Sequence, residues 1–332
     1  MHSSLSVPRP ILVGLAMTLA VAALWGQTPP KMRSRYLTAL TNPEINDYLK
    51  RNDVIFVPVG TVESMGAMPT DREYVIALAY ALKMAEEADG LVLPYVTFFY
   101  PGVTVTGAGS VYVPQPLGEE YLKAIAHSLL RQGFRQQIYT AAHGPADQFV
   151  AAMVREFFEE TKDPIMYISA TRLRAAAPGQ GGRGAGRGAG AGRGAGRGAG
   201  GAGANAARIV DYGAYQIVGM LDEIPLSLDV PIPAPPDLPR TPENFQRLIG
   251  PLGATVGSYE PDANHGVIRP VTSKITAEQR AQYGKEGAAV IENTVKAVDI
   301  KGIVQALKDY DKYVQTTVVP RFKDILPTNQ LQ

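Results

Sequence analysis

Val54-Ile55-Phe56-Val57-Pro58-Val59-Gly60 is the stretch that decides the fold class. A run rich in β-branched side chains, free of charge and closed by glycine, reads as a buried strand. Just beyond it, residues 71–88 carry apolar side chains at Val75, Ile76, Leu78, Ala79 and Leu82, which is helical spacing with one face toward a core. Leu91-Val92-Leu93 then reads as a second short strand, and residues 104–113 as an extended segment around Gly107 and Gly109. Residues 117–130 form the next amphipathic helix, with Tyr121, Ile125, Leu129 and Leu130 on one side and Gly133 placed as a C-cap. Residues 137–142, 147–160 and 165–168 continue as strand, helix and strand. This β-α-β rhythm predicts an α/β sheet with helices on its faces.

Farther along, residues 206–221 read as a helix, and six prolines between Pro225 and Pro239 mark an extended connection. Thr241-Pro242-Glu243 has the form of a helix start. Thr276-Ala277-Glu278-Gln279 offers a capping box to a long helix reaching about residue 298. Residues 301–332 read as a last amphipathic helix on the surface and a tail.

Composition removes whole classes of chemistry. The 332-residue chain is 45% hydrophobic and 19% charged, with a formal net charge of +1, so it is built to bury a core and has no global pull toward nucleic acid. It contains no cysteine, which excludes disulfides, thiolate metal sites and a cysteine nucleophile. The only histidines are His2, His127, His143 and His265, so any metal site must lean on carboxylates. No Gly-x-Ser-x-Gly elbow or phosphate loop is present, and a Ser110–His143–Asp147 triad can be drawn only by free selection.

Two segments stand apart from the α/β pattern. Arg9 precedes an apolar run over residues 11–25, short for a membrane span and suited to a signal-peptide core. Residues 1–26 are therefore expected to be a signal peptide, with export to the periplasm or the extracellular space; the alternative is an uncleaved anchor. Residues 179–204 are a Gly/Ala tract with a near-duplicated decapeptide and four arginines, Arg183, Arg187, Arg193 and Arg197. Side chains this small cannot bury enough surface to offset backbone entropy, so a disordered insertion is expected. No aromatic residue interleaves those arginines, so no specific nucleic-acid partner is expected. A weak polyanion contact is the most such a loop offers.

Four segments carry a family resemblance. Val57-Pro58-Val59-Gly60-Thr61-Val62-Glu63-Ser64-Met65-Gly66, followed by Thr70-Asp71, resembles the strand-end signature of the creatininase family. Gly107-Ala108-Gly109-Ser110-Val111 is similar to that family's Pro-Gly-Thr-Ile-Ser stretch. Gly133-Phe134-Arg135 leading to Ala141-Ala142-His143-Gly144 resembles its Gly-Phe-Arg and Asn-Gly-His-Gly pair. Gly266-Val267-Ile268, Pro270, Thr276-Ala277-Glu278 and Gly284 resemble its C-terminal block. Apart from the Gly/Arg tract, order and rough spacing agree over about residues 36–300.

The resemblance implies a three-layer α/β/α fold with a mostly parallel mixed sheet. It also implies a metal-dependent amidohydrolase acting on a C–N bond of a small or cyclic amide, and a homo-oligomer, a hexamer in the family. Glu63, Asp71 and His143 match metal-ligand positions, and two carboxylates with an imidazole suit a divalent ion such as zinc or manganese. The bland alternatives are a loop carboxylate for Glu63, a helix N-cap for Asp71 and an ordinary strand-end histidine for His143. Tyr74, Asp147 and Gln148 are further candidates for the same pocket, His265 is a loop candidate beside Asp262 and Asn264, and His127 reads as structural.

This chain departs from the pattern where a second metal belongs. Met65 and Met68 stand in place of histidines, and Ala214 and Gln216 in place of glutamates. A thioether does not usefully bind a hard divalent ion. One ion per chain is therefore expected if any, and the alternative function is a non-catalytic exported protein that keeps the fold while the site decays.

Overall fold

A computed structural model describes residues 32–65, 68–102, 109–176, 202–226 and 275–327. The expected signal segment, all of the Gly/Arg tract except its end, the proline-rich connection, the 241–243 helix start and His265 lie outside the described residues. Met1–Ser34 and Arg35–Gln332 are separate units, and the fold is that of the second.

The strand expected from the opening stretch is β1, Val54–Val59, buried along its whole length. It sits inside a four-stranded sheet of order β2-β1-β3-β4, where β2 is Leu91–Val92, β3 is Gln136–Ala141 and β4 is Met166–Ser169. Every strand pairing among the described residues is parallel. Pro58 is tolerated in this inner strand for a local reason. Leu93 N–H donates to Phe56 O, and Gly60 N–H donates to Val96 O, so residues 56, 58 and 60 turn their backbone toward the β2 side. β2 pairs only with Ile55 and Phe56, so the N–H that proline lacks faces a position where the ladder has already ended.

Helix α1, Asn42–Leu49, precedes β1 and was not anticipated; its Thr41 N–H donates to the Glu44 carboxylate at 2.7 Å, and Pro occupies its first turn. The connections between strands are helical: α2, Arg72–Ala88, joins β1 to β2; α3, Gln115–Arg131, leads to β3; and α4, Ala146–Thr161, leads to β4. A short α5, Ala170–Ala176, follows β4 directly. Then come α6, Ala202–Val218, α7, Ala277–Lys296, and α8, Ile300–Tyr313, which ends in a π-helical turn and α9, Val319–Phe322. α6 begins earlier than expected, drawing its first turn from the end of the Gly/Ala tract. The capping box of α7 forms as read: Gln279 N–H donates to Thr276 Oγ1 at 3.1 Å, and Thr276 N–H donates to Gln279 Oε1 at 2.9 Å.

The sheet is covered on both faces. α2 lies over β1, β2 and β3, with α6, α7 and α8 packed on it, and one hydrophobic core joins these helices to Val54, Phe56 and Ile138. Strand alternation turns Ile55, Val57 and Tyr139 to the opposite face, where Gln137 Nε2 donates to Ala126 O of α3 at 2.9 Å. There α3 and α4 pack together and bury Leu122, Leu129, Met153 and Phe157. α8 is more than a surface addition, since Ile300, Val304 and Leu307 enter the core.

Two backbone approaches set helix positions. A Cβ on Gly287 of α7 would stand 1.7 Å from Ile209 O, and one on Gly213 of α6 would stand 2.0 Å from the Gly287 carbonyl carbon, so these helices cross on their glycines. A Cβ on Gly60 would meet Tyr74 Cβ at 2.2 Å, which shows how closely the first turn of α2 sits on the end of β1.

Chain direction across the sheet reverses at β1: β2 lies on one side and β3 on the other. In parallel α/β sheets such a switch point opens a crevice at the carboxyl ends of the two strands, the usual ligand position.

Candidate metal centre

Three side chains converge at that switch point. Glu63 follows β1, is fully buried, and is fixed by its own N–H donating to Thr70 O at 3.0 Å. His143 follows β3 by two residues and is 2% exposed, with Ala146 N–H donating to its carbonyl at 3.2 Å. Glu73 comes from the first turn of α2, which the Gly60 contact holds against β1. His143 Nδ1 lies in hydrogen-bond contact with Glu73 Oε2, and 3.6 Å from Glu63 Oε1. One ligand atom from each of Glu63, Glu73 and His143 can be chosen so that all lie within 4.8 Å of one another. Among the described residues this is the one such group of three.

Burial alone would raise the Glu73 carboxyl, but the His143 imidazole beside it outweighs that, helped by Arg72 and by a hydrogen bond from Glu63, and holds it below the usual carboxylate range. A buried and a partly buried carboxylate this close repel each other unless a proton or a cation lies between them. The donor set of two carboxylate oxygens and an imidazole nitrogen fits a divalent ion of the zinc or manganese type.

The structure brings Glu63 and His143 together, and the acid grouped with them is Glu73; the side chain of Asp71, the other candidate ligand, is engaged elsewhere. Asp71 is the N-cap of α2, and its Oδ1 accepts a 2.7 Å hydrogen bond from Tyr215 OH on α6. Two residues along a helix is a rotation of about 200°, so neighbouring acids at 71 and 73 serve opposite sides. Burial and the adjacent Asp71 carboxylate both push the Tyr215 phenol up, keeping it protonated as a donor. Between the two acids, Arg72 forms a bidentate pair with Asp211 of α6, both N–O distances being 3.0 Å.

The family model described as creatininase, creatinine amidohydrolase, matches residues 38–191, a span that holds Glu63, Asp71, Glu73 and His143. Just under half of the chain is thus similar to the creatininase family. A crystal structure of creatinine amidohydrolase (creatininase) is 17% identical, with a TM-score of 0.50 over 83% of this chain and 98% of that chain; at this identity it speaks for the fold. A mutant creatininase gives the same figures. The 3-dehydro-scyllo-inosose hydrolase of Thermotoga maritima is 27% identical over 111 residues, 33% of this chain and 36% of that protein, so the match spans little more than a third of that enzyme.

The positions that depart from the family pattern have been given other work. Met65 and Met68 are 2% and 6% exposed and belong to the hydrophobic core. Ala214 is fully buried in the same core, and Gln216 is exposed. Of the other candidates, Tyr74 OH accepts a hydrogen bond from Tyr95 N–H at 2.6 Å, and Asp147 accepts one from Tyr167 OH at 2.6 Å. Gln148 is exposed, and Ser110 Oγ accepts from Ser64 N–H at 2.9 Å, supporting the loop that carries Glu63. His127 pairs with Glu160 at 2.9 Å and tilts over the Phe157 ring, a structural role.

Glu73 escaped the sequence reading because an acid in the first turn of a helix has a ready explanation in the helix dipole. The sequence signal that could have found it is the acid pair Asp71 and Glu73 flanking Arg72, immediately after a loop that already carried Glu63.

Proposed function

We propose that this chain is a metal-dependent hydrolase of the amidohydrolase type, acting on a C–N bond of a small or cyclic amide with one divalent ion per chain. The observation that carries the reading is the largely buried Glu63–Glu73–His143 group at the switch point of a parallel sheet. The match to the creatininase family model over residues 38–191 and the partial match to a hydrolase support it. Glu63 and Glu73 would supply carboxylate oxygens and His143 an imidazole nitrogen. A zinc or manganese ion bound there supplies a Lewis acid and a water of lowered pKa. The chain's own contribution is to hold the three donors on the ends of two strands and a helix, in a buried setting where charge interactions are strong.

Export and self-association belong to the same proposal. Arg9 and the apolar run over 11–25 support a signal peptide, and no helix among the described residues is long and apolar enough to cross a membrane. Tyr95, Phe98, Tyr112, Leu117 and Tyr121 are exposed, apolar surface of the kind that supports a homo-oligomer.

The burial of Met65 and Met68 in the core favours a second reading, a non-catalytic member whose site has decayed. Metal analysis of the purified chain after expression with zinc and manganese separates the two, followed by turnover assays on linear and cyclic amides. One ion per chain with amide turnover that His143→Ala abolishes supports the hydrolase; a metal-free, inactive wild type supports the second reading.

A further inference from the structure

The segment that leaves β2 crosses the carboxyl end of the sheet and carries aromatic side chains as it goes. Gly60 N–H donates to Val96 O at 2.9 Å, which seats the segment on the end of β1, and Phe99 is buried against Gly118 of α3. Tyr100 then meets Phe149 of α4 edge to face, with ring centroids 5.3 Å apart, and Tyr112 in the same manner at 6.2 Å. Both of these partners adjoin the metal centre. Phe149 lies in the first turn of α4, its N–H donating to Pro145 O at 3.4 Å, and Pro145 is two residues beyond His143. Tyr112 follows Val111, whose N–H donates to Val62 O at 2.9 Å, while Ser64 N–H donates to Ser110 Oγ at 2.9 Å, so this strip is stitched to the loop on either side of Glu63. His143 Nδ1 and Glu63 Oε1 stand 3.6 Å apart, so the two ends of the aromatic cluster converge on one place. Tyr100 and Phe149 are half-buried and Tyr112 is 51% exposed, which leaves ring surface open at this edge of the site.

We propose that Tyr100, Tyr112 and Phe149 form a specificity wall beside the metal centre, and that the amide taken there carries an aromatic ring next to its C–N bond. The inference rests on the hydrolase reading above and deepens it by naming the substrate class. A planar ring laid against this wall gains apolar burial and the edge-to-face contacts the three side chains already make with one another. A small aliphatic amide leaves the wall in water and is held by the donor group alone. Tyr112 also belongs to the exposed apolar surface that supports self-association, so the experiment has to separate a ring-binding role from an interface role.

Phenylacetone is the probe: it is acetanilide with CH2 in place of N–H, so it cannot be hydrolysed, and 2-butanone is its aliphatic control. Saturation-transfer NMR titrates each ketone against the full chain with zinc(II) present, and circular dichroism confirms that each variant is folded. Phenylacetone is expected to bind about ten-fold tighter than 2-butanone. Tyr112→Ala and Phe149→Leu should each weaken phenylacetone about five-fold, the scale of one aromatic pair, and leave 2-butanone unchanged. With manganese(II) in place of zinc(II), the ring protons of phenylacetone should relax faster in the wild type and not in His143→Ala. Equal affinities for the two ketones, ring binding that neither wall substitution weakens, or bound manganese that leaves the ring protons unaffected overturns the wall. So does light scattering in which Tyr112→Ala breaks an oligomer while its affinity for phenylacetone stays that of the wild type. A wild type that binds neither ion yet keeps the wall-dependent preference for phenylacetone overturns the metal reading and leaves the aromatic specificity standing.

Discussion

Arg135 and His143 each stand between two carboxylates, and the two clusters do opposite things. Arg135, at the amino end of β3, pairs with Asp163 and, at 3.1 Å, with Asp311 of α8. A guanidinium has five donors and a permanent charge, enough to satisfy two acids with nothing added. At the carboxyl end of the same strand, His143 faces Glu63 and Glu73 with a small ring whose charge depends on a proton. The first cluster carries its own cation and staples α8 to the sheet. The second sets two acids beside an imidazole, with Arg72 adding to the positive field on Glu73. Charge density alone therefore does not mark a site; the second cluster differs in gathering carboxylate and imidazole donors that one divalent ion can share.

Removing metal should expose that difference most strongly. If a divalent ion balances the His143 cluster, chelation lowers the melting temperature of the wild type. An ion present at a thousand times its Kd contributes about 4 kcal/mol by linkage, and each kcal/mol is worth about 2–4 °C in a domain of this size. His143→Ala should melt at one temperature with or without chelator, as followed by differential scanning calorimetry. A wild type equally indifferent to chelator would put the two clusters in the same class.

The Arg135 cluster should behave in the reverse way. Arg135→Met strands two partly buried carboxylates and is expected to destabilise the fold by about 2 kcal/mol, by the same amount in metal-loaded and metal-free protein. Denaturant unfolding under both conditions checks this, and a metal-dependent loss would show that the clusters are linked.

A milder contrast lies between α3 and α4, where Glu160 meets Lys123 at 3.0 Å and His127 at 2.9 Å. Burial works against the Glu160 carboxylate, but its hydrogen bonds with Lys123 and His127 outweigh it and hold the group below its usual range. A lowered folded-state value gives stability that is present above the ordinary carboxylate range and lost as pH falls through the folded value. Glu160→Gln should therefore cost no more than about 1 kcal/mol at neutral pH, with the difference from wild type vanishing in acid. Unfolding curves measured from pH 7 down to about 3 bracket the carboxylate range and test the sign.

Much of this fold was legible from residue order alone. The run from Val54 to Val59, the helix carrying Val75 to Leu82, and the strand ending before His143 fall where their patterns put them, because period and burial agree there. α5 escaped because it follows β4 directly, with no glycine or proline between them; its one signal is Ser169, the last strand residue, whose Oγ accepts from Arg172 N–H at 3.4 Å. α1 escaped although Thr41, Pro43 and Glu44 spelled its start, since an eight-residue helix has little apolar face to show. In the site, Glu63 and His143 came from the family resemblance, since alone they read as a loop carboxylate and an ordinary strand-end histidine. The approach of Glu73 to His143 was not legible, because it depends on the rotation of one helical turn, and Tyr215 and Asp211 hold the residues beside it from far along the chain.

The central claim is that Glu63, Glu73 and His143 together hold one divalent ion. Anomalous scattering from crystals grown with zinc, collected on both sides of the zinc absorption edge, tests it most directly. The account predicts one strong peak per chain at about 2.0–2.2 Å from an oxygen of Glu63, an oxygen of Glu73 and a ring nitrogen of His143. Well-ordered density for these three side chains with no peak between them, or a peak ligated by other residues, would contradict it.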